Sequence, residues 1–322
     1  MVIDAGFEGS LTTLPQIAQH IENSAQFSGM WVNDTSNDPF LLSSLVALNT
    51  QELQFGTNIA VAFARSPFCV AQTAYNLAQL SQGRFLLGLG TQVKAHVQRR
   101  FGQTWPEKPV KALIEYVALL RHLFECFKEK QRPDFKGDFF SCTLTSPVFS
   151  PDIHQFDAPR VGFSAVGPIA TRAAGRFADA VFLHPFTHLT YLDSITLPAL
   201  KEGEKKRSDK LAKLEKIGSA FCLASDSPQL PKQKAQVLSR LAFYASTPNY
   251  NPVLASLGLE ELQTELHQLS RQSEWEKMAR ILPDELIEAC VIIAPRDKLI
   301  SSLHKRFQGI YDRVIVDPRL FS

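Results

Sequence analysis

The chain alternates between short runs of almost wholly apolar residues and longer segments in which apolar residues recur every three or four positions. Runs of the first kind are typical of buried parallel strands, and segments of the second kind are typical of amphipathic helices. The apolar runs predict strands at residues 2–7, 29–32, 53–61, 84–90, 160–165, 180–183, 217–224 and 290–293. The periodic segments predict helices at residues 14–27, 38–48, 66–81, 108–128, 168–177, 191–204, 231–244 and 297–307, before a terminal extended piece at 313–316.

Eight strand–helix units in one chain of 322 residues predict a (β/α)8 TIM barrel that forms a single domain over residues 1–322. The alternative is a doubly wound open sheet, whose first strand leads into Gly-x-Gly-x-x-Gly. The first predicted strand here leads into AGFEG at residues 5–9, which lacks that glycine triplet. Two segments, 130–158 and 247–288, exceed the usual length of a loop, and we expect them to be insertions that act as lids or binding loops.

The composition argues against several classes of partner. Lys and Arg number 34 against 32 Asp and Glu, a net charge of +2, so we expect no general attraction to nucleic acid or to anionic membranes. The five cysteines are scattered and form no Cys-x-x-Cys pair, which predicts reduced thiols in a cytoplasmic protein without a structural metal. No apolar stretch approaches the length of a membrane span, and the start of the chain lacks the pattern of a signal peptide.

Small residues collect at the ends of the third and fourth predicted strands. The run GRFLLGLGT at residues 83–91 ends in Gly88 and Gly90, which allow a ligand to approach the backbone closely. The small residues of the third strand include Ala60 and Val61, and they suit a flat ring pressed against the backbone. A plain strand-to-helix connection is the alternative. Ligands bind at the carboxyl ends of barrel strands, so we expect these residues to border a ligand site.

The fifth predicted strand ends in Ala165, Val166 and Gly167, and Pro168 then opens a helix. The free N–H groups and the positive dipole end of such a helix bind anions, and phosphate is the natural ligand. The alternative is a helix N-terminus that water satisfies.

Two titratable residues are candidates for chemistry. His184 ends the sixth predicted strand and is a candidate ligand contact, with a structural histidine as the alternative. Pro185 separates it from His188, so we do not expect the two histidines to share a helical face and bind a metal. Asp34 follows the second predicted strand and is a candidate acid or substrate-positioning group, with a solvated loop aspartate as the alternative.

The order and spacing of several motifs resemble the bacterial luciferase-like family of flavin or deazaflavin oxidoreductases. The motifs are GTNIAV at 56–61, RSP at 65–67, GRFLLGLGT at 83–91, AVGP at 165–168 and ADA at 178–180. The runs DPF at 38–40 and FYASTP at 243–248 are similar to the subgroup that depends on coenzyme F420. The resemblance extends over residues 3–316.

This resemblance implies a barrel with an insertion lid, often as a homodimer, and a cofactor ring in the barrel mouth. It implies a non-prolyl cis peptide near residues 60–62, beneath the ring. By position, Gly88, Gly90 and Thr91 would flank the ring. The cofactor phosphate would lie on Ala165, Val166 and Gly167, with His184 and Pro185 nearby.

The reaction that the resemblance implies is hydride transfer between coenzyme F420 and a small organic substrate. Asp34 is the first candidate for the accompanying proton transfer and His184 the second. Relatives commonly have a histidine in the loop after strand two, where this chain has Asn33 and Asn37, which do not relay protons near neutral pH. The alternatives are an FMN-dependent monooxygenase that uses O2 and reduced flavin from a partner flavin reductase, and a non-catalytic flavin-binding protein.

Overall fold

Eight parallel strands close into a barrel in the computed structural model, which describes residues 1–321. Each strand pairs with the next in chain order, and the eighth pairs with the first through Arg313 opposite Val2, so the barrel has no free edge. The strands, β1 to β8, are Val2–Phe7, Gly29–Val32, Gln54–Thr57, Phe85–Gly90, Arg160–Ala165, Ala180–Leu183, Glu215–Ser219 and Arg313–Val316. The predicted (β/α)8 barrel is confirmed.

Helices connect the strands and cover the outside of the barrel. Several begin with proline in the first turn, where a missing N–H costs nothing. Asp38 caps the second helix by accepting hydrogen bonds from the N–H groups of Phe40 and Leu41 at 2.8 and 3.2 Å. The helices α1 to α8 are Leu14–Glu22, Pro39–Asn49, Pro67–Leu80, Pro109–Glu129, Pro168–Phe177, Leu197–Glu204, Leu230–Ala245 and Leu299–Phe307. No helix among residues 1–321 has the length and apolarity needed to cross a membrane.

The prediction for the eighth strand was wrong. Residues 290–293 were expected to close the barrel, but Val291–Ala294 lies outside it and pairs with Phe221–Ala224 in a separate two-stranded sheet. The strand predicted at 217–224 is divided at Ala220: β7 pairs with β8, and the residues after Ala220 change partner. The segment 313–316, expected as a terminal extension, is the true closing strand. The runs at 290–293 and 313–316 are both short and apolar, and either could supply the closing strand. Pairing with residues far away in the sequence decides which of them does.

Side chains fill the barrel interior in layers, as in other TIM barrels. At the amino-terminal end, the buried carboxylate of Asp4 accepts hydrogen bonds from Arg313 at 2.6 and 2.8 Å and from the indole N–H of Trp31 at 2.7 Å. Above it, Trp31 packs edge-on against Phe182, with ring centroids 5.2 Å apart. A Cβ on Gly88 would lie 2.1 Å from the carbonyl oxygen of Thr57 and 2.6 Å from the Phe182 ring, so interior packing accounts for this glycine.

The two long segments are both structured. The first contains a hairpin of Phe135–Lys136 and Ser141–Cys142, and the Glu115 carboxylate accepts three backbone N–H groups beside it. The second contains four short helices that pack with α7 into an apolar core of their own. These helices are Asn251–Ala255, Glu260–Arg271, Trp275–Arg280 and Asp284–Cys290.

Candidate functional site

A layer of mostly polar residues forms the floor of the barrel mouth. Side chains alternate along a strand, so the positions two residues beyond Gly56, Phe182 and Ile217 are the uppermost inward positions of their strands. In agreement, the Asn58 amide donates to the Ser219 hydroxyl across the barrel at 3.4 Å. The other members of this layer are Asn33, Gly90, Ser164 and His184. Asn58 and Ser219 were not among the predicted site residues, although counting alternate positions upward from the interior layer would have found them.

The chain forms a bulge at the end of β3. The peptide bond between Asn58 and Ile59 is cis, which places it just before the expected residues 60–62. Ala60 and Val61 then form a two-residue strand against Leu89 and Gly90. Ala60 and Val61 are buried, whereas Ile59 is partly exposed, and a Cβ on Gly90 would lie 2.8 Å from the Ile59 side chain. The partly exposed apolar side chain of this bulge is therefore Ile59, which lies against Gly90, whereas Ala60 and Val61 are buried.

Asp34 is bound in a network that holds this bulge. Its carboxylate is 4% exposed, accepts the Val61 N–H at 3.0 Å and forms an ion pair with Arg65 at 2.7 Å. Arg65 also pairs with Asp38 at 2.7 Å and thereby joins the bulge to the start of α2. Asp34 is thus neither a solvated loop carboxylate nor a free acid. Its geometry is that of a residue that positions the backbone under the mouth.

His184 lies in the mouth among aromatic side chains. Its Nδ1 accepts the Phe186 N–H at 3.1 Å, so the neutral ring has its proton on Nε2. The rings of Tyr244 and Tyr250 lie 4.4 and 4.8 Å from it, centroid to centroid. Burial lowers the pKa of His184 to about 3. At neutral pH, His184 can donate one hydrogen bond from Nε2, but it is a poor proton carrier.

The lowered pKa of His184 predicts a pH-dependent stability. Below about pH 6.5 the unfolded chain gains a proton on this ring that the folded chain does not take up until about pH 3, so stability is lost as the pH falls through this window. We expect wild type to lose about 1–2 kcal/mol more unfolding free energy between about pH 7 and pH 5 than His184→Gln. Urea unfolding at the two pH values measures this difference, and His20→Gln, at an exposed position of α1, is the control. Equal pH slopes for wild type and His184→Gln would contradict the assignment.

The N-terminus of α5 faces open space beside His184. Gly167 precedes the helix, no side chain caps it, and a Cβ on Gly167 would meet nothing within 4 Å. Among residues 1–321, the backbone N–H groups of Gly167, Ile169 and Ala170 have no acceptor. The buried hydroxyl of Thr187 also has no partner, and it lines a small cavity between Val166 and His184. Free donors, a positive helix end and open space together suit a phosphate group.

The remaining predicted residues differ in access to this site. Val166, Gly167 and Pro185 are partly exposed around the start of α5, whereas Ala165 is buried beneath them. Thr91 is partly exposed directly after Gly90, and its hydroxyl donates to the Gln92 carbonyl at 3.1 Å. In the described part of the chain, no group of three or more His, Cys, Asp or Glu side chains has the arrangement of a metal site.

A segment that we call the rim strap, residues 91–108, runs from the end of β4 to α4. Val97 anchors it in the core, and Trp105 packs edge-on against Phe63 at 5.9 Å. The Arg100 guanidinium donates to the Thr35 carbonyl, in the loop after β2, at 2.5 Å. The strap therefore spans from the end of β4 to the loop after β2 and contacts Phe63, just beyond β3.

A (β/α)8 barrel with a polar layer and an uncapped helix start at the carboxyl ends of its strands has the layout of barrel enzymes. The family model for luciferase-like monooxygenases matches residues 4–313, and the chain belongs to this family. An uncharacterised protein of Mycobacterium tuberculosis is 35% identical over 321 residues, which are 97% of this chain and 92% of that protein. The F420-dependent glucose-6-phosphate dehydrogenase 1 of Rhodococcus jostii is 26% identical over 270 residues, 82% of this chain and 73% of that enzyme.

Solved structures share the fold at low sequence identity. An F420-dependent secondary alcohol dehydrogenase, solved with an F420–acetone adduct, matches with a TM-score of 0.71 at 20% identity, over 98% of this chain and 93% of that one. The oxygenating constituent of 3,6-diketocamphane monooxygenase from Pseudomonas putida, solved with FMN, matches with a TM-score of 0.62 at 14% identity, over 98% and 92%. The fold therefore occurs with both kinds of cofactor.

Proposed function

We propose that this protein is an oxidoreductase that transfers a hydride between coenzyme F420 and a small organic substrate. The observation that carries the proposal is the uncapped N-terminus of α5, where Gly167 leaves open space and backbone donors have no acceptor within residues 1–321. The F420-dependent relative from Rhodococcus jostii supports the deazaflavin over other phosphate-bearing ligands. When bound, the deazaflavin ring supplies the carbon that exchanges the hydride.

The residues of the mouth fall into two groups, those that would hold the cofactor phosphate and those that would orient the cofactor ring. Backbone N–H groups at Gly167, Ile169 and Ala170 would bind the phosphate, with the Thr187 hydroxyl close by. Ile59 and Gly90 would form the apolar surface under the ring, together with Thr91 at its edge. The chain thereby contributes orientation and the exclusion of water.

Proton transfer in this proposal relies on solvent. Asp34 is paired with Arg65, and His184 stays neutral across the physiological range because its pKa is about 3. Asn33 cannot exchange a proton near neutral pH. His184 would instead donate a hydrogen bond from Nε2 to an oxygen of the substrate or the cofactor, and Asp34 would act as a positioning residue through Val61.

The second candidate function is an FMN-dependent monooxygenase. The helix end at Gly167 would accept the phosphate of FMN equally well, since its donors are backbone groups without further selectivity. In that case, a flavin reductase would have to supply reduced flavin.

Titration of the purified apo-protein with F420 and with FMN, followed by ring fluorescence, tests both candidates. We expect saturable binding of F420 with a Kd near the micromolar range, about −8 kcal/mol, and weaker binding of FMN. Tight binding of FMN with no binding of F420 would establish the second candidate instead. Binding of neither would contradict both, and binding of F420 without reduction by any of a panel of alcohols and sugar phosphates would favour a non-catalytic protein.

A further inference from the structure

The rim strap is strongly positive for its length. Residues 91–108 include four Lys or Arg and one acid, Glu107, which gives a net charge of +3, whereas the entire chain has +2. The four cations are Lys94, Arg99, Arg100 and Lys108. All four are exposed, so the strap presents a positive surface that begins at the end of β4.

Among residues 1–321, the strap cations form no ion pair with a carboxylate, which distinguishes them from two other cations near the mouth. Arg65 pairs with two aspartates, and Arg240 pairs with Glu8 at 2.5 Å. Within residues 1–321, no Asp or Glu lies within ion-pair distance of Lys94 or Arg99. Unpaired cations that share a structured segment create a local positive potential, which attracts anions and raises their rate of association.

The position of the strap relates this potential to the ligand site. The strap starts at Thr91, directly after Gly90, and its Arg100 reaches the loop after β2. The uncapped start of α5 follows β5, which is the neighbour of β4. The strap therefore begins on the strand next to the one that leads to α5, and a ligand held at both Gly90 and Gly167 would lie beside its first residues.

We propose that the rim strap binds carboxylates or phosphates that a ligand bears beyond the phosphate held at α5. The proposal rests on the function proposed above and deepens it. Coenzyme F420 has carboxylates beyond its phosphate, whereas FMN ends at its phosphate. Lys94 and Arg99 therefore provide a means by which this barrel distinguishes the two cofactors. Arginine binds carboxylate in a charge-assisted, bidentate manner, and lysine contributes a point charge.

The double variant Lys94→Gln/Arg99→Gln tests the strap, with Lys205→Gln/Lys206→Gln as its control. The control removes the same charge from exposed residues directly after α6, at the opposite end of the barrel. In about 20 mM salt we expect the strap variant to weaken F420 binding about fivefold to tenfold and the control less than about twofold. In about 0.5 M salt the difference should nearly vanish, because the charges are exposed and screened. Both variants should bind FMN and the side-chain-free deazaflavin ring as wild type does.

Two further measurements identify the source of the anion and keep the test independent of the cofactor. Tripolyphosphate binding to the apo-protein, measured by calorimetry, should weaken in the strap variant and not in the control. Binding of glucose 6-phosphate to the cofactor-loaded protein, compared with glucose, asks whether a substrate supplies the anion. If the strap variant affects glucose 6-phosphate but not F420, the strap is an anion site for the substrate. If wild type binds no deazaflavin, the proposed function is wrong, and the proposal of an anion site on the strap is then tested by tripolyphosphate binding alone. Equal behaviour of the strap and control variants with all three anions would overturn the proposal.

Discussion

Arg313→Met should lower the free energy of unfolding by about 3–5 kcal/mol, because it leaves the buried carboxylate of Asp4 without its cation. Asp4 is 0% exposed, and the Arg313 guanidinium donates two hydrogen bonds to it, at 2.6 and 2.8 Å. The indole N–H of Trp31 remains as a donor to the carboxylate, but it has no charge with which to balance the carboxylate. The loss should appear as a lower urea midpoint.

The control is Arg172→Met, which removes a half-exposed pair with Glu202 and should cost less than about 1 kcal/mol. The double variant Asp4→Leu/Arg313→Met should recover at least half of the lost stability, since it removes the unpaired charge together with its partner. A single variant as stable as Arg172→Met would show that the pair at the base of the barrel contributes nothing.

Gly167→Val should weaken F420 binding about a hundredfold and leave the fold intact. The backbone at Gly167 has φ −80° and ψ 161°, which valine adopts readily, and its Cβ would meet no atom within 4 Å. The isopropyl group would instead occupy the space before α5 and keep a phosphate from the backbone donors. Loss of charge-assisted hydrogen bonds there is worth about 3 kcal/mol.

Fluorescence titration with F420 measures the affinity, and thermal unfolding checks the fold. Gly167→Ala should give a smaller loss, because a single methyl group fills less of the space. Ala212→Val, at an exposed position before β7, should change neither quantity. Unchanged F420 affinity in Gly167→Val would remove the phosphate assignment at α5.

Local patterns predicted most of the barrel correctly, and the failure has a definite cause. The first seven strands lie where apolar runs follow one another with helices between them, so nearest neighbours in sequence are also neighbours in the barrel. The runs at 290–293 and 313–316 are equally short and apolar, and nothing local distinguishes them. What distinguishes them is a partner at the far end of the chain: Arg313 lies opposite Val2 and pairs with Asp4.

The backbone elements of the candidate site could be predicted from the sequence, whereas the contacts of its side chains could not. The helix opened by Pro168 was visible from the sequence because glycine, proline and a preceding strand are local signals. The ion pair between Asp34 and Arg65 could not be predicted, since the two residues are 31 positions apart and come together only in the fold. Similarly, Gly88 on β4 was expected to make room for a ring, but the side chain of Phe182 on β6 fills the space beside it.

The residues on the two sides of Ala220 pair with different strands and belong to different parts of the structure. Before it, β7 supplies Ser219 to the barrel floor; after it, Phe221–Ala224 belongs with the helices that bring Tyr250 to the mouth. These helices have an apolar core separate from the cluster that contains Trp31 and Phe182 inside the barrel, so substitutions within that separate core should change the interior packing little. A chain divided in this way can vary the helical segment beside the mouth while the side chains that fill the barrel stay the same.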